Sequence, residues 1–138
     1  MEISMYTGFV VLRFRHPNMD LAWISAKLGL PCFRSWKAGS PRQTPKGDPL
    51  PGVYKDSYWV SQLEFVSKEG FCKQLSTILN ILLAEKETVD KFNASGGNIE
   101  IYLQLSGAIN NGDTISNKML AIMVDLKLEL SIEVFVGV

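Results

Sequence analysis

The sequence predicts an α+β protein with the βαββαβ order of a ferredoxin-like sandwich, extended by an additional C-terminal helix and strand. Several segments alternate apolar and polar residues at the two-residue period of a β-strand. Others carry apolar residues at helical spacing and end at glycine. The two kinds of segment follow one another as strand, helix, short strand, strand, long helix, strand, helix, strand, which favours a mixed sheet of about five strands with its helices on one face. The chain is long enough to bury a hydrophobic core without disulfides or metals, and we expect a single domain over residues 1–138.

The first strand is predicted in YTGFVVLRFR, where Val10, Leu12 and Phe14 alternate with a more polar set of side chains. A helix over residues 20–28 follows, with Asp20 as its N-cap. The glycine and proline of LGLP end that helix. CFRSWK then provides a short second strand.

The middle of the chain is predicted to hold one strand and the longest helix. SYWVSQLEFV places Trp59 and Phe65 on one face of a strand and Tyr58 on the other. The helix is expected over residues 69–93, because apolar residues recur there at helical spacing and two glycines follow.

The C-terminal part is predicted to form strand, helix and strand. NIEIYLQLSG and LELSIEVFV both alternate apolar and polar residues, so each should be a half-buried strand. Between them, a helix is expected over residues 115–126, with Asp113 or Ser116 as its cap.

Charge and cysteine content argue against several classes of function. Fourteen basic and fourteen acidic residues cancel, so the chain lacks the positive field of proteins that bind nucleic acid or anionic membranes. Two cysteines without a CxxC motif, and one histidine, indicate neither a disulfide framework nor a zinc site. No cofactor is expected. Because the sequence has neither a signal-peptide pattern nor a run of roughly 20 apolar residues, we expect a cytoplasmic protein.

No set of residues with the pattern of a catalytic site is visible. His16 is the only histidine and stands where the first strand ends, which favours a structural role in a turn. Cys72 lies at the start of the long helix, where thiol pKa values can be lowered, but its apolar neighbours favour simple packing. The carboxylates available for acid–base chemistry are Glu100, Asp113, Glu129 and Glu133. Their positions are typical of a solvated face, so we expect no enzymatic activity.

The segment over residues 34–59, RSWKAGSPRQTPKGDPLPGVYKDSYW, is where function is predicted. Its closely spaced prolines and glycines indicate an irregular loop, and long loops in compact domains are usually functional or poorly ordered. Trp, Tyr and Arg are enriched in binding hot spots. The predicted binding residues are Arg34, Trp36, Lys37, Arg42, Lys46, Tyr54, Tyr58 and Trp59. The alternative interpretation is a structural cover in which Trp36 and Trp59 anchor the loop to the sheet.

The same segment carries a family resemblance. With DLAWISAKLGLPCF before it and GGNIEIYLQLSG after the long helix, the pattern SWKAG…TPKG…YW resembles the bacterial family catalogued as domain of unknown function 4279. The resemblance spans nearly the whole chain. That family has no assigned reaction, so the resemblance implies a bacterial origin and an important loop, and it implies no catalytic residue.

These observations favour a non-enzymatic protein that binds a protein partner. By analogy with other small stand-alone bacterial proteins, we expect an immunity protein that neutralises a toxin by occluding its active site. The alternative is a small-ligand sensor, in which the basic residues of the loop hold an anionic group and its aromatic rings stack on an apolar part. Either the basic loop or the acidic face of the C-terminal strands serves as the contact surface, and we favour the loop.

Overall fold

The computed structural model describes residues 6–66, 69–106 and 112–135. The elements, in chain order, are β1 (Tyr6–His16), α1 (Ile24–Leu28), β2 (Arg34–Trp36), β3 (Pro41–Gln43), β4 (Pro49–Val53), β5 (Ser57–Val66), α2 (Cys72–Ala84), α3 (Lys86–Ala94), β6 (Asn98–Ser106), α4 (Asn117–Asp125) and β7 (Glu129–Phe135). The chain is therefore an α+β protein, as the sequence predicts. None of the helices in the described ranges has both the length and the apolar character that crossing a membrane requires.

Five strands form one mixed sheet in the order β2-β5-β1-β6-β7. β1 lies at the centre and pairs antiparallel with β5 on one side and with β6 on the other. β2 pairs antiparallel with β5, whereas β7 pairs parallel with β6. β3 and β4 form a separate two-stranded sheet. The predicted mixed sheet is confirmed, and the C-terminal helix and strand add β7 at its edge.

One face of the five-stranded sheet is covered by the helices. Alternate residues of β1, β5 and β6 point to this face, as the two-residue period requires. The fully buried strand residues in this core include Val10, Leu12, Phe14, Trp59, Ile99, Ile101 and Leu103. All four helices contribute to the same cluster, through side chains such as Ile24, Leu79, Phe92 and Met123. This core fixes the sheet and leaves its other face without a helix from the described residues.

The first helix is shorter than predicted. It begins at Ile24 rather than Asp20, because the preceding residues form a turn in which the Ile24 N–H donates to the Leu21 carbonyl at 3.1 Å. Asp20 caps that turn instead, since its Oδ1 accepts from the Ala22 N–H at 3.0 Å. Gly29 ends the helix in the left-handed conformation, with φ 66°.

The helix predicted over residues 69–93 is in fact two helices. α2 and α3 are separated at Glu85, whose φ of −112° and ψ of 33° are not helical. No large apolar side chain lies between Leu83 and Val89. The core therefore does not hold this stretch straight, and the chain bends where only charged and small side chains are present.

The prediction that residues 34–59 lack regular structure beyond their two ends is wrong. β3 and β4 form a small hairpin, with Pro41 opposite Val53 and Gln43 opposite Pro49. The prolines are tolerated because both strands are edge strands, where a missing N–H costs no ladder bond. The turn is closed by the N–H of Gly47, at φ 94°, donating to the Thr44 carbonyl at 2.8 Å. This hairpin is called the 41–53 hairpin below.

The C-terminal elements fit their predicted positions closely, but β7 is less buried than expected. α4 is capped by Ser116, whose Oγ accepts from the Met119 N–H at 3.2 Å. β7 was predicted to be half-buried, yet its helix-side residues Leu130, Ile132 and Val134 are 37%, 58% and 52% exposed. The helices cover the centre of the sheet more completely than this edge.

Candidate functional site

The face of the sheet opposite the helices, called the open face below, carries aromatic and arginine side chains. A small cluster of Val11, Tyr58, Val60 and Tyr102 forms its buried floor. Phe9 and Trp36 pack against this floor. The open face therefore has its own apolar base, separate from the main core, on which polar groups can be held in fixed positions.

Three aromatic rings stack across the boundary between the sheet and the 41–53 hairpin. The Trp36 and Tyr54 rings lie 4.5 Å apart between centroids and 9° from parallel. Trp36 also stacks against Tyr58, with 4.5 Å between the ring centroids and an interplanar angle of 27°. The stack joins β2, the end of the hairpin segment and β5, so it ties the hairpin to the sheet.

Arginine side chains cover these rings. The Arg34 guanidinium carbon lies 4.9 Å from the Trp36 ring centre, and that of Arg15 lies 4.6 Å from Tyr58. Cation–π contacts of this kind hold a guanidinium at a defined position above an aromatic face. Because the rings are themselves held by the stack, both guanidinium groups are held in place, and Arg15 Nη1 also lies 4.0 Å from the Asp56 carboxylate.

Tyr54 also fixes the shape of the hairpin through its hydroxyl group. The Tyr54 hydroxyl donates to the Gln43 carbonyl at 3.1 Å and accepts from the Gln43 N–H at 3.2 Å. Arg34 Nη2 donates to the same carbonyl at 3.1 Å. At the base of the hairpin, the Ala38 N–H donates to Ser57 Oγ at 2.9 Å. The hairpin is thus held by both ring stacking and hydrogen bonds.

A basic cleft of about 430 Å³ lies between the 41–53 hairpin and β2. Its cations are Arg34, Lys37 and Lys46, and Trp36 and Tyr54 supply its aromatic side. Among the described residues that line it, none is a carboxylate. The cleft is therefore suited to an anionic group, or to an acidic side chain of a partner.

A second, smaller depression of about 290 Å³ lies on the open face, and Arg34 and Trp36 line both it and the cleft. Arg13, Arg15 and Arg34 line it, together with the apolar floor. Two buried donors that line it, Arg13 Nε and Trp36 Nε1, have no hydrogen-bond partner among the described residues. Leaving a buried donor unpaired costs about 1–3 kcal/mol, so this region carries polar groups that the fold alone does not satisfy.

The β6 and β7 end of the open face is acidic. Arg13 Nη1 lies 3.1 Å from Glu100 Oε1, and its guanidinium carbon lies 4.3 Å from the Tyr102 ring centre. The Tyr102 hydroxyl donates to Glu133. Burial raises the pKa of Tyr102 to about 12, with further contributions from the hydrogen bond to Glu133 and from that negative charge. The open face is therefore basic at the β2 end and acidic at the β7 end.

The structure brings together most of the predicted binding residues, but not all. Arg34, Trp36, Lys37, Lys46 and Tyr54 line the basic cleft, and the stack links Tyr58 to it. Two predicted residues stand apart from this group. Arg42 donates to the Pro51 carbonyl at 3.3 Å and does not line the cleft. Trp59 is 1% exposed and points to the helices.

Trp59 is therefore a core residue and not part of the surface predicted for binding. Its indole Nε1 donates to Ser25 Oγ of α1 at 2.9 Å, and its ring meets Phe14 edge-on at 5.6 Å. Trp59 thus holds α1, and not the hairpin, to the sheet. Of the two tryptophans predicted as anchors, Trp36 is the one that contacts the hairpin segment, through Tyr54.

The comparison with protein families gives a clear result. A family model described as Domain of unknown function (DUF4279) matches residues 4–137, nearly the whole chain. The chain belongs to the DUF4279 family. No curated protein and no solved structure matches it significantly.

In this DUF4279 protein, His16 stabilises the turn that follows β1. Its Nδ1 accepts from the N–H groups of Asn18 and Met19, at 3.1 Å and 2.9 Å. Because Nδ1 accepts, Nε2 is the ring nitrogen that donates, and Ser95 Oγ accepts from it at 3.0 Å. Ser95 Oγ in turn donates to the Phe92 carbonyl at 2.8 Å. Both ring nitrogens of this histidine therefore have structural partners: Nδ1 holds the turn after β1, and Nε2 links the end of β1 to the end of α3.

Cys72 of the DUF4279 chain likewise has a structural environment. Its thiol donates to the Thr114 carbonyl at 3.0 Å. Burial first, and the nearby Asp113 carboxylate second, raise the pKa of Cys72 to about 11, which keeps the sulfur protonated. Asp113 Oδ2 accepts from the Cys72 N–H at 3.0 Å, so it caps α2 rather than α4, and this bond is the first cause of its lowered pKa.

Sequence reasoning did not find Arg13, Arg15 and Tyr102. Alternation along β1 places both arginines on the polar side of the strand. This pattern was the one sequence signal that could have marked them as surface residues. Their aromatic partners come from β6 and β5, and the pairing of these strands with β1 is not readable from local sequence. In the described part of the chain, no group of three His, Cys, Asp or Glu side chains is placed to hold a metal ion.

Proposed function

We propose that this protein is a non-enzymatic binding module that recognises a protein partner through the basic end of its open face and the adjoining 41–53 hairpin. The observation that carries the proposal is the stack of Tyr54, Trp36 and Tyr58, with arginines held over two of its rings. This set of residues is called the aromatic–arginine patch below: Arg15, Arg34, Trp36, Tyr54 and Tyr58.

The composition and rigidity of the patch support a protein-binding role. Tyr, Trp and Arg dominate binding hot spots because they bury a large area while losing few rotamers. In this patch the rings and guanidinium groups are already ordered by stacking. A pre-ordered surface loses less conformational entropy when it binds than a flexible one.

The charge distribution supports a partner with an acidic contact region. Arg34, Lys37 and Lys46 line the cleft without a carboxylate among its described lining residues. Complementary charges accelerate association and disfavour wrong partners. The opposite end of the open face, around Glu100 and Glu133, is acidic. This separation of charge along the surface would orient a partner.

At a finer level, we propose a cytoplasmic bacterial immunity protein that occludes the active site of a toxin. The cations of the basic cleft narrow this proposal to a toxin whose contact surface includes carboxylates. The fold proposal is a ferredoxin-like sandwich extended by α4 and β7. It is supported by the antiparallel order β2-β5-β1-β6.

A second candidate function is a sensor for a small anionic ligand held in the basic cleft. The observation that favours it is the volume of about 430 Å³, which lies in the usual range for small-molecule sites. The cations would hold the anionic group, and the exposed edge of Trp36 or Tyr54 would contact its apolar part. In this case the bound molecule passes an ultrafiltration membrane, whereas a protein partner does not.

The test combines partner capture with a matched pair of charge variants. The site variant R34Q/K46Q removes two positive charges from the cleft. The control variant K73Q/K118Q removes two exposed positive charges from α2 and α4. Wild type, site variant and control are used to capture partners from a lysate of the native host, and the association rate of each captured protein is then measured with purified components.

The proposal predicts that one partner binds wild type and control at similar rates and binds the site variant at least tenfold more slowly at low ionic strength. Equal binding of all three forms contradicts the site. If the partner is an enzyme, the immunity proposal predicts that wild type suppresses its activity and that the site variant does not. If only a low-mass fraction of the lysate changes the tryptophan fluorescence of wild type, and W36F abolishes that change, the sensor is the correct alternative.

A further inference from the structure

Within the described part of the chain, β7 presents a long strand edge with no second neighbour. It is seven residues long, ends the five-stranded sheet, and pairs only with β6 among the described residues. Exposed edges of this kind are usually blocked by proline, lysine, a bulge or a very short strand. The segment ELSIEVF contains none of these, and its two charged residues, Glu129 and Glu133, lie on the open face rather than on the apolar side. By contrast, the opposite edge strand, β2, is only three residues long.

The helix-facing side of β7 is apolar and largely uncovered. Leu130, Ile132 and Val134 lie on that side, opposite Ile101, Leu103 and Leu105 of β6, and are between 37% and 58% exposed. Before β7, α4 exposes Leu120 and Val124, which stand one turn apart on the same side of the helix.

We propose that a second copy of this chain covers this edge, with the two β7 strands paired antiparallel around a two-fold axis at Ile132. An isologous pair of this kind requires a surface that is complementary to itself. Whether a strand meets that requirement depends on which side chains fall opposite one another, and the register of β7 can be tested residue by residue.

Only one central register keeps the acidic residues apart. With the axis at Ile132, Ile132 faces its own copy and Leu130 faces Val134 of the second copy. On the open face, Ser131 then faces Glu133 of the second copy, and Glu129 faces Phe135. An axis at Ser131 would set Glu129 against Glu133, and an axis at Glu133 would set that residue against itself. Like charges directly opposite each other destabilise a strand pair, so both neighbouring registers are disfavoured.

The area available is sufficient for a specific contact. Pairing seven residues from each chain, together with the exposed apolar side chains of β7, buries on the order of 1,000 Å² in total, which is the lower limit for a biological interface. A contact of this size fits a dimer that forms at moderate protein concentration. The pairing would extend the sheet from five strands to ten, with the helices of both copies on one side.

The first test uses sedimentation velocity over a range of protein concentration. Wild type is expected to shift from the monomer mass to twice that mass as concentration rises. I132K places two like charges at the axis and is expected to stay monomeric throughout. The matched control is V53K, which adds a lysine at a valine that is 54% exposed in the 41–53 hairpin, and it should dimerise like wild type.

The second test fixes the register with engineered cysteines. It uses a C32S background, because Cys32 is exposed. Directly opposed residues of antiparallel strands have Cα atoms about 4.5–5.5 Å apart, within the range of a disulfide. I132C is therefore expected to form a covalent dimer under mild oxidation. L130C is not, because the two copies of residue 130 would lie well beyond about 7 Å.

Four results would overturn the proposal. Wild type could remain monomeric at every concentration, I132K could dimerise as well as wild type, or L130C could cross-link as readily as I132C. If V124K abolished the dimer and I132K did not, the interface would lie on α4 rather than on β7, and this result would also contradict the proposal. The variants on β7 and α4 lie outside both the aromatic–arginine patch and the 41–53 hairpin, so these outcomes leave the proposed binding function to be judged on its own experiment.

Discussion

The two faces of the sheet use aromatic side chains in opposite ways, and the contrast is sharpest at two neighbouring residues of β5. Trp59 points to the helices, where it is 1% exposed and hydrogen-bonded to α1. Tyr58 points to the open face, where it stacks on Trp36 and lies beneath Arg15. One residue step along the strand separates a core residue from a member of the patch.

The two faces differ in what covers their aromatic rings. On the helix side, apolar side chains from other elements enclose the rings, so their contribution is to the stability of the whole fold. On the open face, the rings are covered by one another and by arginines. Their contacts mainly position the hairpin and the guanidinium groups, and Trp36 and Tyr54 keep part of their surface exposed. Stability and binding should therefore respond differently to changes on the two faces.

The largest expected effect is on the helix side. W59A should lower the free energy of unfolding by about 3–5 kcal/mol, because it empties a fully buried site and removes the hydrogen bond to Ser25. Denaturant unfolding at equilibrium measures this change. A loss below about 1 kcal/mol would contradict the placement of Trp59 in the core.

W36A on the open face should cost less, about 1–2 kcal/mol, because two stacking contacts are lost while the main core stays intact. The loss should be local. Hydrogen exchange of the 41–53 hairpin should accelerate, and exchange in α2 should be unchanged. W36F is the control, since it retains a ring in the stack. A cost equal to that of W59A would show that the two faces are not distinct in the way proposed.

Helix α2 supplies a pH-dependent test of the covered face. Asp113 caps this helix from a segment distant in sequence, and its pKa is lowered by the hydrogen bond from the Cys72 N–H. A lowered carboxyl pKa in the folded state adds stability above the ordinary pKa, and this stability is lost as the pH falls through the folded value.

D113A should therefore cost about 1 kcal/mol at neutral pH, and the difference from wild type should shrink as the pH falls into the acidic range. Urea unfolding at several pH values measures it. D113N keeps an acceptor for the cap but loses the charge, so it should retain part of the stability without this pH dependence. A difference that stays constant down to low pH would contradict the role of the Asp113 carboxylate.

The smallest expected effect concerns Tyr102 at the acidic end of the open face. Its pKa of about 12 means that the folded state favours the neutral phenol. The associated stability is present below the ordinary tyrosine pKa of about 10 and is lost as the pH rises towards 12. The difference in tyrosinate absorbance between wild type and Y102F reports this titration. E133Q should lower the pKa of Tyr102, whereas an unchanged value would exclude the Glu133 carboxylate as a cause.

The sequence allowed prediction of the parts of the fold that depend on local pattern. Alternation in SYWVSQLEFV and NIEIYLQLS matched β5 and β6 and assigned Tyr58 and Trp59 to opposite faces. The bend at Glu85 was missed, because the apolar spacing of α2 and α3 is compatible with one continuous helix. The 41–53 hairpin was missed because its strands contain prolines, which edge strands accept and central strands do not.

The candidate site was predictable only in part, for a physical reason. Arg34, Trp36, Lys37 and Tyr54 lie close together in sequence, and their composition indicated a binding segment. The contact of Arg15 with Tyr58 depends on the pairing of β1 with β5, which brings together residues far apart in the chain. Composition also pointed to Trp59, but the period of two in β5 decides its side, and that side is the core.

The most direct test of the central claim is a hydrogen-exchange footprint of the captured partner on this protein, compared with the free protein. Our account predicts slower exchange in β2, in the 41–53 hairpin and at the start of β5, with no change in α2 and α3. Protection that falls on α2 and α3, with the hairpin unchanged, would contradict the claim that the aromatic–arginine patch is the binding surface.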